Sequence, residues 1–298
     1  MTVVNIGSIN RDFVFRVSHF PTAGETIEVQ DFHSGLGGKG LNQSVAIARA
    51  GGSVIHVGAV GFGDEALLDQ IETLGVETKA ISESTTRSTG QANVYINSDG
   101  DNAIVINAGA NADIPEMPLS QVLEQSGTGD WLLFQNEVKL PAQTISQAKA
   151  CGLKIAYCAA PFDAEAVVPL LEHIDLLSVN EIELAQLEDS CSEALVEPQF
   201  DLLITLGERG AEFRSGGVSE KVAAYRVKPI DTTGAGDTFL GYFLANYTDG
   251  TAVATCLEIA SRAAALQVTR LGAANVIPTV AEVDGFAQPA PPKAEALQ

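Results

Sequence analysis

Residues 231–239 read Asp231-Thr232-Thr233-Gly234-Ala235-Gly236-Asp237-Thr238-Phe239, and they open a helix. The small residues lead into apolar positions Phe239, Leu240, Phe243 and Leu244 at helical spacing, which predicts a helix over about 235–247. The first N–H groups of a helix have no partner inside it and carry the positive end of its dipole. Gly234, Ala235 and Gly236 leave those groups uncovered, making a hole suited to an anion such as a phosphoryl group in transfer. Asp237 falls in the first turn beside that hole, placed to take a proton from an attacking hydroxyl. A lone Asp there would be read as a carboxylate favouring the helix dipole. The glycines on the same turn favour the catalytic reading.

Outward from this helix, a second is predicted over about 251–268, and the rest alternates between strand and helix. Val3–Ile6, Val54–Val60, Trp131–Phe134, Ile155–Cys158, Leu176–Val179 and Leu202–Leu206 are short apolar strands. Helical patterns lie between most of them, at 41–50, 141–150 and 181–188. Repeated βα alternation with strands apolar on both faces means a mostly parallel, doubly wound α/β sheet with helices on both faces. Two patches differ. Around Ile27 and Val29, and through Ala92, Val94 and Ile96, apolar and polar residues alternate with period two. The second turns at Ser98-Asp99-Gly100 into Ala103–Ile106, a predicted hairpin. Together they predict a small one-faced sheet outside the main core, from about 11–34 and 91–107. One domain over 1–287 is expected, with a Pro- and Ala-rich tail at 288–298 expected to be disordered.

Three further segments carry chemistry. Gly35-Leu36-Gly37-Gly38-Lys39-Gly40-Leu41-Asn42-Gln43 contains Gly-x-Gly-x-x-Gly, but the strand before it, Glu25–His33, is polar on one face, unlike a dinucleotide fingerprint. Its glycines let backbone approach a ligand, and Lys39 and Asn42 offer charged and amide donors. In Ser178-Val179-Asn180-Glu181-Ile182-Glu183 a strand delivers Asn180 and Glu183 to a helix start. There Asn180 can donate to a phosphate and Glu183 can help hold hydrated Mg²⁺, or both can simply cap the helix. Leu203-Ile204-Thr205-Leu206-Gly207-Glu208-Arg209-Gly210 is an apolar strand breaking into a glycine turn. It could wrap a nucleotide or merely connect two strands.

Composition narrows the function classes. Among 298 residues, 17 Lys+Arg stand against 38 Asp+Glu, a formal charge of −21, which argues against phosphate-backbone binding and against anionic membrane. Hydrophobic residues make up 46% and charged residues 18%, so the chain is no disordered polyanion. The N-terminus lacks a basic region followed by an apolar core, and no apolar run approaches the roughly 20 residues of a membrane span. Cys151, Cys158, Cys191 and Cys256 are scattered without metal spacing, as expected of free thiols in a cytoplasmic protein.

In this order the segments resemble the ribokinase-like (PfkB) carbohydrate kinases. The resemblance runs from about residue 3 to 278 and rests on Gly-Gly-Lys-Gly-x-Asn-Gln at 37–43, Ile-Asn-Ala-Gly-Ala-Asn at 106–111 and Asp-Thr-Thr-Gly-Ala-Gly-Asp-Thr at 231–238. It implies a doubly wound α/β domain with a β-sheet lid that often forms a homodimer contact. It also implies transfer of the ATP γ-phosphate to the primary hydroxyl of a sugar, ribose being favoured. By matching positions, Asp237 would be the base and 234–236 the anion hole. Asn10, Asp12, Gly38, Lys39, Asn42 and Glu137 would grip the sugar. Asn180, Thr205, Gly207, Gly210, Gly236 and Ser261 would lie around the nucleotide, with Glu183 completing an Asn-x-x-Glu motif linked to Mg²⁺. The family also binds a monovalent cation, usually K⁺. Asp231, Thr233, Gln267, Arg270 and Gly272 match that site, largely through backbone carbonyls, while Val276 stands where a hydroxyl or other oxygen is usual. Against this kinase reading stand a non-catalytic sugar binder of the same fold and a dinucleotide-dependent oxidoreductase suggested by the glycines at 35–40.

Overall fold

The apolar runs become the strands of one large sheet, in a computed structural model that describes residues 1–99, 101–140, 143–196 and 198–286. In chain order the strands are β1 Thr2–Ile6, β2 Asn10–Arg16, β3 Asp31–Gly37, β4 Ser53–Gly61, β5 Ile81–Ser84, β6 Gly90–Ile96 and β7 Asn102–Asn107. They continue as β8 Trp131–Gln135, β9 Lys154–Cys158, β10 Leu176–Asn180, β11 Asp201–Thr205, β12 Ala211–Ser215 and β13 Val218–Val222. Nine form a sheet ordered β13-β12-β11-β10-β9-β8-β1-β4-β5. From β5 to β11 every pairing is parallel, and β12 and β13 add an antiparallel edge. The chain builds outward from β1 in both directions, to β4 on one side and β8 on the other. That makes the gap at the C-terminal ends of β1 and β8 the switch point where ligands bind in open α/β sheets.

The strands read as unbroken apolar runs because both faces are covered. Successive residues of β8 serve opposite cores. Trp131 and Leu133 join Leu41, Val45, Leu240, Phe243 and Leu257 on one face. Leu132 and Phe134 join Leu119, Leu123, Tyr157 and Leu187 on the other. The predicted helices form with small shifts of boundary: Lys39–Arg49, Thr144–Ala150, Glu181–Cys191, Ala235–Thr248 and Val253–Gln267. The tail at 288–298, Gly100 of the predicted turn, and residues 141–142 lie outside the described residues.

The small sheet is four-stranded, ordered β3-β2-β6-β7, with β6 and β7 antiparallel as the hairpin reading requires. One strand lies elsewhere than expected. Residues 25–30, with their alternation at Ile27 and Val29, are not in a strand, and β3 begins at Asp31. Glu25 instead closes a local turn, its carboxylate accepting from the Thr22 N–H (2.9 Å) and facing His19 Nε2 (2.8 Å). Such side-chain bonds compete with strand pairing. The strand takes in Gly35, which pairs opposite Asp12, and Gly37, where a Cβ would overlap the Asp12 carboxylate.

Close approach also sets the crossing of the two helices that carry the chemical motifs. A Cβ on Gly241, one turn beyond Asp237, would overlap the Ala46 methyl and lie 2.8 Å from the Gln43 carbonyl oxygen. Gly241→Ala should therefore lower stability by about 1–3 kcal/mol, the usual cost of overpacking, read as a reduced urea midpoint at unchanged slope. An unchanged midpoint would show that the crossing is not set there.

Candidate active site

The switch-point edge collects the chemistry. β1 runs into Ser8 and Asn10, β8 into Glu137, β10 into Asn180 and β11 into Thr205, while the Lys39–Arg49 and Ala235–Thr248 helices point their first turns at the same edge. Gly234 caps the latter helix in the left-handed conformation (φ +74°). A cleft of about 400 Å³ is lined by Lys39, Asn180, Glu183, Thr205, Gly207, Gly234, Ala235, Gly236 and Asp237. Thus the predicted base, the glycine turn and most of the predicted nucleotide residues share one cavity. The Ala235 N–H donates to the Thr232 carbonyl at 3.2 Å, which leaves the glycines on either side as the more open part of the anion hole.

Asp237 is buried, and its carboxylate is held from both sides. The Asn42 amide donates to Oδ2 (3.0 Å) and the Gln43 amide to Oδ1 (2.8 Å). Burial raises its pKa, while Lys39, Asn42 and Gln43 oppose the rise. In return the Asp237 carboxylate, against burial and with help from Glu137, raises the pKa of Lys39 and keeps it charged. Gln43 lies within the 37–43 motif and Gln135 at the end of β8, and the sequence pattern assigns neither a role. Both belong to a buried chain of amides. Gln135 Nε2 donates to Gln43 Oε1 (2.7 Å) and Asn5 Oδ1 (2.8 Å), and Asn5 Nδ2 donates to Ser44 Oγ (2.9 Å). The chain ends where Ser44 meets His56 Nδ1 at 2.8 Å, and burial pushes His56 down to about 4, so it is neutral at pH 7. The available signal was a glutamine closing an otherwise apolar strand.

The predicted sugar residues sit around the first turn of the Lys39–Arg49 helix. Glu137 Oε2 accepts from Ser8 Oγ (2.5 Å) and the Lys39 N–H (3.0 Å). Asn10 is buried and accepts from Asn111 Nδ2 (2.8 Å), an asparagine of the 106–111 motif. Gly38 caps the helix at φ +95°. Glu137 lines a second cavity of about 670 Å³ rather than the cleft. Burial above all, with the carboxylates of Glu137, Asp237 and Asp231, pushes the Asp12 carboxyl up from 3.8 to about 7, and Asp12 Oδ1 is buried with no partner.

Other predicted residues have structural work. Asn180 and Glu183 form a reciprocal capping box: Asn180 Oδ1 accepts from the N–H groups of Ile182 and Glu183, and Glu183 Oε2 from that of Asn180. Asn180 keeps only its amide hydrogens for a phosphate. Gly210 does not line the cleft; it turns the chain toward β12, and a Cβ there would overlap the Val222 carbonyl. Ser261 is buried away from the cleft with its hydroxyl donating to Ala223 O (3.3 Å). Asp231, Thr233, Gln267 and Gly272 do converge, whereas the Arg270 side chain donates to the Val276 carbonyl (3.1 Å) and pairs with Glu282 (2.7 Å).

Known proteins resemble the chain over nearly its whole length. A model of the pfkB family carbohydrate kinases matches residues 2–280. The chain is 36% identical to a ribokinase of Bacillus subtilis over 287 residues, covering 94% of this chain and 97% of that one. It is 33% identical to a ribokinase of Schizosaccharomyces pombe, covering 96% and 97%. The solved structure of Arabidopsis thaliana ribokinase complexed with ribose and ATP superposes with a TM-score of 0.82 at 28% identity, covering 96% and 97%. The chain belongs to the pfkB family of carbohydrate kinases.

Asp12 gives a pH-dependent test of the site. Folded, it keeps its proton up to about pH 7, whereas unfolded it ionises near 3.8. Between those values the native state binds the extra proton, so this group's effect on stability worsens as pH rises from about 4 to 7. Asp12→Asn should melt at a higher temperature than the native chain at pH 8, the gain shrinking toward pH 4. A variant no more stable at pH 8 would contradict the shift.

Proposed function

We propose that this protein transfers the γ-phosphate of ATP to the 5-hydroxyl of D-ribose, giving ribose 5-phosphate and ADP. The observation that carries this reading is the buried Asp237 carboxylate. It lies on the wall of a cleft whose rim is a glycine-opened helix N-terminus, held as an acceptor by two amides. In the reaction Asp237 takes the proton of the sugar hydroxyl as its oxygen attacks the γ-phosphorus. The bond to the β-phosphate oxygen breaks, and ADP leaves. The N–H groups of Gly234 and Gly236 face the charge on the transferring phosphoryl oxygens, and Lys39 adds a full positive charge on the same wall. Asp12, Glu137 and Asn42 suit a ligand that presents little besides hydroxyls, since carboxylates accept and amides both accept and donate.

Mg²⁺ would arrive with ATP. Glu183 fits it: burial raises the pKa of this carboxyl beside the cleft, so a cation would relieve its cost as an anion. That cation would supply charge neutralisation on the phosphates. The small sheet is the natural cover over the sugar, excluding water that would otherwise hydrolyse ATP. Its exposed Phe32, Ile104 and Ile106 favour pairing with a second copy of the chain. No helix among the described residues is long and apolar enough to cross a membrane.

ADP release over a panel of sugars and nucleosides tests the substrate, with ribose expected to give the highest kcat/KM. Equal or better turnover of 2-deoxyribose, fructose or a nucleoside would overturn the choice of ribose. Asp237→Ala should lower kcat by roughly 10² to 10⁴, the reach of a general base, while ribose binding measured by calorimetry changes far less. Near-normal turnover would mean that another group takes the proton.

A further inference from the structure

The strongest departure from the family resemblance lies behind the anion hole. Residues 230–231 run beside the turn that follows the Val253–Gln267 helix, with both N–H groups donating to the Val268 carbonyl (2.7 and 3.2 Å). Asp231 ties the two segments: Oδ1 accepts the Thr233 N–H (2.9 Å) and Oδ2 the Gly272 N–H (3.1 Å). Within this corner the backbone carbonyls of Thr233, Gly272 and Ala273 converge on one point. That point is the Gln267 side-chain nitrogen, 3.3 Å from each oxygen.

Three carbonyl dipoles aimed at one spot, next to a carboxylate, create a negative potential that needs a positive partner. Elsewhere in proteins such rings of carbonyls are filled by cations. Here the partner is part of the chain. Gln267 is wholly buried, and its Oε1 has no hydrogen-bond partner. The amide is therefore oriented for its N–H groups alone, because turning it over would set Oε1 against three carbonyl oxygens. An NH₂ group has two hydrogens for three acceptors, which accounts for contacts that are equal and long. The remaining side chains offer no competing site. Val276 has no side-chain oxygen, its carbonyl is taken by Arg270, and the Arg270 charge is spent on Glu282.

We propose that the Gln267 carboxamide takes the place of a monovalent cation, so that the 231–236 segment is held in its working shape without K⁺. This replaces the expectation of K⁺ activation. It rests on the kinase reading only for its activity readout, and thermal melting reads the same corner without catalysis.

Wild type and Gln267→Ala are compared in KCl and in tetramethylammonium chloride at equal ionic strength, by turnover of ribose and ATP and by melting temperature. Wild type should show the same kcat and Tm in both salts. Gln267→Ala opens the corner, so its turnover in tetramethylammonium should fall by about tenfold or more, a typical coupling between sites, and recover with K⁺. Its Tm should rise with K⁺ in a saturable way, since a cation that binds only the folded chain stabilises it. A wild type whose kcat climbs about tenfold and whose Tm rises with K⁺ would overturn the proposal, because the cation would then enter with Gln267 present. A Gln267→Ala chain indifferent to the salt in both readouts would overturn it too. Should that variant fail to fold, the wild-type series alone decides. A wild type inactive in every salt would count against the ribose reaction, leaving the melting comparison to judge the corner.

Discussion

A carboxylate buried beside a phosphoryl-transfer cleft is costly unless donors meet it, and the structure is organised around meeting that cost at Asp237. The Asn42 and Gln43 amides reach it only because the Lys39–Arg49 and Ala235–Thr248 helices cross without a side chain at Gly241. Gln43 is in turn fixed by Gln135 at the end of β8, and Gln135 by Asn5 in β1, the two strands that flank the switch point. Sheet, helix crossing and buried carboxylate are thus one hydrogen-bonded unit. A shift in any of them would leave a buried donor or acceptor unpaired.

The same economy explains how a chain of charge −21 can take ATP. At the cleft the positive contributions are the opening turn of the Ala235–Thr248 helix and the charged Lys39. The Glu137 and Asp237 carboxylates add to the burial that raises Asp12, and Glu137 adds to the burial that raises Asp237. Asp12 at about 7 is a group held against its own preference.

Much of this was legible in the sequence. The two-sided apolar strands predict the parallel sheet, and the glycine-opened helix predicted at 234–237 forms and lines the cleft. The misplaced strand at 25–30 failed for a local reason. Alternating residues there resemble a strand, yet Glu25 spends its carboxylate on a turn, and the true strand contains glycines that strand patterns discount. The amide chain through Gln135 and Asn5 left no periodic mark, because such pairings depend on which strands become neighbours. Asn180 and Glu183 show that a cap and a ligand-facing residue can be the same side chain. At Gln267 the side chain meets three backbone carbonyls from two separate segments, a convergence that spacing along the chain does not announce.

The most direct test of the account is the pH–rate profile of kcat with ribose for the native chain and for Gln43→Leu. Removing the amide that donates to Asp237 Oδ1 makes the ionised carboxylate harder to hold, so the acid limb of the profile should move to higher pH. Ribose affinity at pH 8 should change little. A Gln43→Leu profile superimposable on the native one would show that the Asp237 carboxylate, as held here, is not the group that accepts the proton.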